Sequence, residues 1–161
     1  MLHFEHVETL KLPLIKRFYK QHYPSAKPKS DELIIAAYEN HHIKAVVRFR
    51  SIADYRLLTG MAVVSEERSK GIGQALLIYC KKNILKHNDY CFAYPHLTSF
   101  YTLGNFYTQR PDQLPAELRT LLTRYQASGK SLIPLSVQTS FLQNCEPCLR
   151  ATKQVVNLLF R

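Results

Sequence analysis

The stretch from Met61 to Leu77, MAVVSEERSKGIGQALL, constrains the chain more than any other. An apolar run, Met61 to Val64, stops at a polar turn, Ser65 to Lys70, and a helically spaced apolar pattern opens at Gly71-Ile72-Gly73. That order predicts a strand, a tight loop and the first turn of a helix, with two glycines where the backbone comes close to something. Arg68, Ser69, Lys70, Gly71, Ile72 and Gly73 then present successive N–H groups at a helix N-terminus. Unpaired donors and the positive end of the helix dipole together favour an anion, phosphate above all.

Two common phosphate loops fail on spacing. A P-loop needs Gly-x4-Gly-Lys-Ser/Thr; counted from Gly71, Leu76 stands where the second glycine belongs, and no Lys-Ser/Thr pair follows. The dinucleotide fingerprint fails at the same Leu76, and Asp89 precedes the next strand instead of ending it. What stays is Val63-Val64-Ser65-Glu66-Glu67-Arg68-x-x-Gly71-x-Gly73 behind an apolar strand. This resembles the acetyl-CoA loop of the GNAT (general N-acetyltransferase) superfamily, V-x-P-x-x-R-x-x-G-x-G/A, with Ser65 in place of the usual proline. The plainer reading of the loop by itself is a turn that merely joins strand to helix.

The flanking segments follow the same order. His3 to Val7 alternates weakly, as a first strand would. Leu10 to Tyr23 carries Leu12, Leu14, Ile15, Phe18 and Tyr19 at mostly helical spacing, opposite Lys11, Lys16, Arg17 and Lys20. Pro24 to Ser30 is a basic, proline-containing loop: a solvated linker, or a cover for an acidic acceptor. Three antiparallel strands are predicted over Glu32–Tyr38, Ile43–Phe49 and Arg56–Val64, with turns at Glu39–His42 and Ser51–Asp54. A helix is predicted from Gly71 to Lys86, with Gly73, Leu76, Leu77, Cys80 and Ile84 on one face, and a buried strand at Tyr90–Tyr94. Pro111 to Gly129 reads as another helix and Ser131 to Val137 as the last strand.

Between these lies His96 to Phe106, which resembles the GNAT segment F-Y-x-x-x-G-F. Tyr101 and Phe106 keep its spacing, Asn105 stands where glycine is usual, and Asn tolerates the left-handed cap. Seven residues before Tyr101 the family often has an asparagine that contacts pantetheine; here the residue is Tyr94, a departure from that pattern.

The resemblance spans about His3 to Val137 and implies a single α/β (α+β) domain over 1–137. Its mixed central sheet would have six to seven strands, helices on both faces, and parallel fourth and fifth strands that splay apart. Acetyl-CoA would lie in the gap, its pantetheine along Met61, Ala62 and Val63 and its pyrophosphate on Arg68, Ser69, Lys70, Gly71, Ile72, Gly73 and Gln74. An N–H near Val63 would polarise the thioester carbonyl. Tyr101 would return a proton to the departing thiolate, or else serve only in packing. The implied function is an N-acetyltransferase moving acetyl to a primary amine, small molecule or protein, by direct attack in a ternary complex, with no metal. The general base is open among Glu39, Asp54, Glu66, His96 and a water chain.

Charge supplies the competing function class. Lys+Arg total 22 against 12 Asp+Glu, a formal +10, which suits CoA, nucleic acid or an acidic protein. A basic nucleic-acid module using the glycine loop for phosphate is therefore the alternative, disfavoured because no RNP-like motif, helix-turn-helix signal or dense basic stripe accompanies it. No apolar run approaches the roughly 20 residues of a membrane span, and residues 1–6 do not read as a secretory leader, so a cytoplasmic protein is the default expectation. Cys80 and Cys91 read as small core residues, while Cys145-x-x-Cys148 lacks the further ligands of a zinc site and is either incidental spacing or a redox or metal pair. Residues 138–161 form an extension, helical over Thr152–Phe160, whose apolar side chains need its own domain or a homodimer partner to cover them.

Overall fold

A computed structural model describes residues 1–138. The helix expected over Thr152–Phe160 and the Cys145/Cys148 pair lie outside the described residues. A strand β1 (His3–His6) and a 3-10 turn (Thr9–Lys11) lead into helix α1 (Leu12–His22). This helix buries Ile15, Phe18 and Tyr19, the i, i+3, i+4 set of a core-facing stripe. Leu14, counted in that stripe from spacing, is half exposed because its neighbour Ile15 takes the inward position.

Strands β2 (Leu33–Glu39), β3 (His42–Ile52) and β4 (Tyr55–Val63) form the antiparallel meander. The first hairpin turns on Asn40 and His41 alone, both left-handed at φ 51° and 65°, the backbone a two-residue hairpin requires. The interruption expected at Ser51 is absent. Ser51 pairs with Arg56 and Ile52 with Tyr55, so β3 runs on to a tight turn at Ala53-Asp54.

The ladder between β3 and β4 then slips. Arg48 is opposite Thr59 and Val46 is opposite Ala62, so one extra residue sits on β4, beside Gly60 at φ 62°. A one-residue bulge exchanges the two faces of the strand beyond it. Leu57 and Thr59 share the α1 face with Arg50 and Arg48, whereas Met61 and Val63 pack with the opposite core. The guanidinium of Arg48 occupies the space a side chain at Gly60 would need: a Cβ there would lie 2.7 Å from Arg48 Nε and 3.0 Å from Tyr19 Oη. Arg48 is held by Glu32 at 2.8 and 2.9 Å and lies 5.2 Å from the Tyr19 ring centre, and Tyr19 donates to the Gly60 carbonyl at 2.6 Å.

Strand β5 (Asp89–Ala93) runs parallel to β4 but pairs with it only at Arg56, Leu57 and Leu58. The closed end is pinned by a bidentate ion pair, Arg56 to Asp89 at 2.6 and 2.7 Å. Asp89 is fully buried and also accepts the Lys86 N–H; Arg56 donates to the Ile84 carbonyl and stacks over Phe49. Above Leu58 the two strands part, as the resemblance implied.

Helix α2 (Ile72–Asn83) and the single turn α3 (Thr98–Tyr101) cover one face, over a core that includes Phe49, Leu58, Leu76, Leu77 and Cys91. Helix α1 and helix α4 (Ala116–Ala127) cover the other, with Tyr125 of α4 edge-on to Phe92. The helix expected to Lys86 stops at Asn83: Ile84 leaves the helical backbone at φ −123°, and the Leu85 N–H reaches back five residues to the Cys80 carbonyl that Ile84 already uses. The helix expected from Pro111 starts only after Pro115, which lacks an N–H and holds Leu114 extended; Pro111–Gln113 is a separate 3-10 turn. Beyond α3, a three-residue strand β6 (Phe106–Thr108), too short to show a periodicity, pairs with β7 (Ile133–Val137). The mixed seven-stranded sheet has the order β1-β2-β3-β4-β5-β7-β6.

Candidate active site

The glycine loop, the end of β4 and the Leu97–Tyr101 segment line a cavity of about 390 Å³. Met61 and Val63 of β4 form one wall, Phe100 and Tyr101 another, and Arg68, Ser69, Gly71, Gly73 and Gln74 the end. Ser69 and Gly71 are both left-handed, at φ 65° and 85°. Among the described residues no N–H from Arg68 to Gln74 donates to a backbone carbonyl; the first to do so is Ala75, to Gly71 at 3.0 Å. The result is a concave run of free donors at the start of α2, suited to a phosphate. At Gly73 a Cβ would come within 3.3 Å of Val63 Cγ2 and 3.6 Å of the Phe100 ring, so the helix start lies tight against β4.

The loop is fastened from behind. Arg68 donates to the His22 carbonyl at the end of α1 (2.7 Å) and to the Val63 carbonyl (3.4 Å), so its guanidinium braces the loop. Ser65, where proline was expected, uses the N–H that proline lacks: it donates to His22 Nδ1 at 3.2 Å. Lys44 pairs with Glu67 at 2.7 Å.

A second cavity, about 430 Å³, opens on the α1/α4 side of the gap. Leu57, Leu58, Thr59 and Gly60 of β4 face Phe92, Ala93 and Tyr94 across it, and Tyr23, Tyr125 and Lys130 rim it. The two cavities meet at Met61, Leu97 and Tyr101, which line both. Another cavity, about 440 Å³ between His6–Thr9 and Ser30–Ile34, shares no residue with either.

Tyr101 is buried, edge-on to Phe100 (5.0 Å) and Phe106 (6.1 Å). Burial, with the Cys91 thiol adding to it, raises its pKa well above the usual phenol value, so the hydroxyl stays protonated at neutral pH. Cys80 and Cys91 are buried core thiols, each pushed up to about 12 by burial.

Of the residues named from sequence, Met61, Val63, Arg68, Ser69, Gly71, Gly73, Gln74 and Tyr101 come together around the first cavity. Ala62 turns to the α1 face, Ile72 packs on the core and Lys70 is exposed. None of Glu39, Asp54, Glu66 and His96 lines either cavity; Glu39 pairs with the N-terminal amine, and His96 stacks on Tyr94. Sequence reading missed Thr59, Tyr125 and Lys130, whose only signal was aromatic or basic character in separate segments. Among the described residues no group of His, Cys, Asp and Glu could hold a metal ion, and no helix is long and apolar enough to cross a membrane.

No protein-family profile matches the sequence, and no curated protein matches it. Solved structures do. N-acetylglutamate synthase from Neisseria gonorrhoeae, complexed with coenzyme A and N-acetyl-glutamate, aligns at TM-score 0.62 and 14% identity. That match covers 85% of this chain but only 35% of the synthase, about a third of its length. The ribosomal-protein-S18-alanine N-acetyltransferase from Escherichia coli aligns at TM-score 0.60 and 14% identity, covering 90% of this chain and 99% of that one. Naa50 from Arabidopsis thaliana, in complex with the bisubstrate analogue CoA-Ac-MVNAL, aligns at 0.56 and 15%, covering 86% and 99%. With the bulged β4, the parallel β4–β5 pair open at one end and the glycine loop at the start of α2, the chain has the fold of the GNAT acetyltransferases.

Proposed function

We propose that the protein transfers an acetyl group from acetyl-CoA to an amine. The observation that carries this reading is the junction of two cavities at Met61 and Tyr101. One cavity ends in the free donors of the glycine loop, and the other opens to solvent on the opposite side of the parted strands. Acetyl-CoA fits the first: Ser69 to Gln74 offer its pyrophosphate backbone donors, and the edge of β4 above Leu58 has no strand partner to compete with pantetheine amides.

The bound co-substrate supplies an acetyl thioester and, as it departs, a thiolate in need of a proton. The chain's own groups meet both demands. Val64 N–H donates to the Lys44 carbonyl (2.9 Å) on the β3 side, so strand alternation turns the Val63 N–H toward the open edge. There it can stabilise charge developing on a carbonyl oxygen. Tyr101 lines both cavities and keeps its phenol proton at neutral pH, the proton that would pass to the thiolate. An amine entering by the second cavity approaches the thioester from the other side.

Acetyl-CoA-dependent stabilisation tests the reading. At 100 times its dissociation constant the ligand should add about 2.7 kcal/mol to unfolding stability. Stabilisation by nucleic acid with none by acetyl-CoA would overturn it.

A further inference from the structure

We infer that the acceptor is a small amine carrying its own anionic group, carboxylate or phosphate, held by Arg50 with Lys27 and Lys29 while the amine reaches the junction. This rests on the transferase reading and adds the substrate class.

Charge in the second cavity points this way. Among the described residues that line it no carboxylate occurs, and Lys130 is the one full charge. A polyamine, an aminoglycoside or a lysine-rich peptide would find nothing there to neutralise its cationic body. A smaller recess of about 120 Å³ adjoins the cavity and shares Leu57, Thr59 and Tyr125 with it. Its charged walls are Lys27, Lys29, Arg48, Arg50 and Glu32.

Glu32 is already engaged: it accepts from Arg48 at 2.8 and 2.9 Å and from the Lys29 N–H at 2.6 Å. Arg48 and Glu32 thus cancel as a buried pair. Lys27, Lys29 and Arg50 have no carboxylate partner among the described residues, and Arg50 makes one long bond, 3.4 Å, to the Tyr125 hydroxyl. The recess therefore carries an uncompensated positive charge, next to a cleft whose walls are aromatic and aliphatic.

That field does two things for an anionic amine. It attracts the anion, with Arg50 offering a planar fork of donors. It also favours the uncharged amine over the ammonium, and only the uncharged amine has a lone pair with which to attack. A cavity of about 430 Å³ suits a small molecule.

The test uses full-length protein with CoA present and reads probe binding by NMR titration, independent of turnover. N-acetyl-glycine, N-acetyl-leucine and N-acetyl-phenylalanine are each compared with their carboxamides, and phosphoethanolamine with ethanolamine. At least one anionic member should bind about tenfold or more tightly than its neutral partner, a gap that narrows with salt. The carboxylate and phosphate pairs tell the two anions apart. Arg50→Gln should close the gap; should that variant fail to fold, Lys27→Gln/Lys29→Gln, at exposed positions, should narrow it. Equal binding within every pair, or tighter binding of spermine than of any anion, would overturn the inference. CoA-induced stabilisation in the same samples reports on the transferase reading. A protein that takes CoA but does not discriminate loses only the anion assignment; one that discriminates without taking CoA loses the transferase reading.

Discussion

Gly60→Ala probes the feature on which the open strand pair depends. The residue sits at φ 62°, so an L side chain there costs about 1–2 kcal/mol in backbone energy. The new Cβ would also lie 2.7 Å from Arg48 Nε and 3.0 Å from both Arg48 Nη2 and Tyr19 Oη. Arg48 cannot swing aside freely, since Glu32 and the Tyr19 ring hold it and it is 7% exposed. Loosening a buried charge-assisted hydrogen bond costs roughly a further 1.5–3 kcal/mol. The expected total is about 2.5–5 kcal/mol, read from urea denaturation at pH 7. Gly60→Asn separates the two contributions: asparagine tolerates the left-handed backbone but keeps the Cβ, so it should recover no more than about 1 kcal/mol. In an Arg48→Met background the alanine substitution should cost only its backbone share, a coupling of about 1.5–3 kcal/mol. A loss under 1 kcal/mol in the wild-type background, or no coupling to Arg48, would refute the wedge.

Gly71→Val and Gly73→Val should abolish acetyl-CoA-dependent stabilisation, the first through its left-handed backbone (φ 85°), the second by pressing on Val63 and Phe100; a folded variant that still binds CoA would show the loop is misassigned. Tyr101→Phe should lower kcat about 10- to 1,000-fold with CoA affinity little changed, since it removes the acid and keeps the ring; unaltered turnover under chemistry-limited conditions would remove Tyr101 from proton transfer. Asp89→Asn should destabilise by about 3–5 kcal/mol in urea, because it leaves Arg56 without its buried partner; a change below 1 kcal/mol would mean the ion pair does not anchor the closed end. Finally, burial raises the phenol pKa values of Tyr19 and Tyr101, so the native state keeps protons that the unfolded chain releases above about pH 10. Their contribution is therefore complete below pH 10 and declines above it. Urea midpoints from pH 8 to 11 should fall, less steeply in Tyr101→Phe; equal slopes would argue against a raised Tyr101 pKa.

What the sequence disclosed was what neighbouring residues decide. The strand-loop-helix at Met61–Leu77 is written in consecutive residues, and so is the short helix before the left-handed Asn105. The groups that shape the recess beside the second cavity and the closed end of the strand pair were hidden because they come from distant segments. Arg50 and Tyr125 are 75 positions apart, and Arg56 and Asp89 are 33 apart. Each of those residues has an ordinary surface role by composition, and only the packing of α4 beside β5, or of β4 against β5, gives it another. Gly60 is an intermediate case. A glycine inside a strand signals a bulge, but the side chain filling its place, Arg48, belongs to another strand.

The change of phase at Gly60 has an evolutionary consequence. Before it, alternate side chains of β4 line the second cavity; after it, alternate side chains line the first. Had the strand kept one phase, Leu57, Thr59, Met61 and Val63 would share a face, and a change of acceptor would crowd the thioester with every substitution. On the transferase reading proposed above, Leu57 and Thr59 can then drift toward a new amine while Met61 and Val63 stay under constraint from acetyl-CoA. On that reading, descendants of such a chain can diversify in what they modify while inheriting what they modify it with.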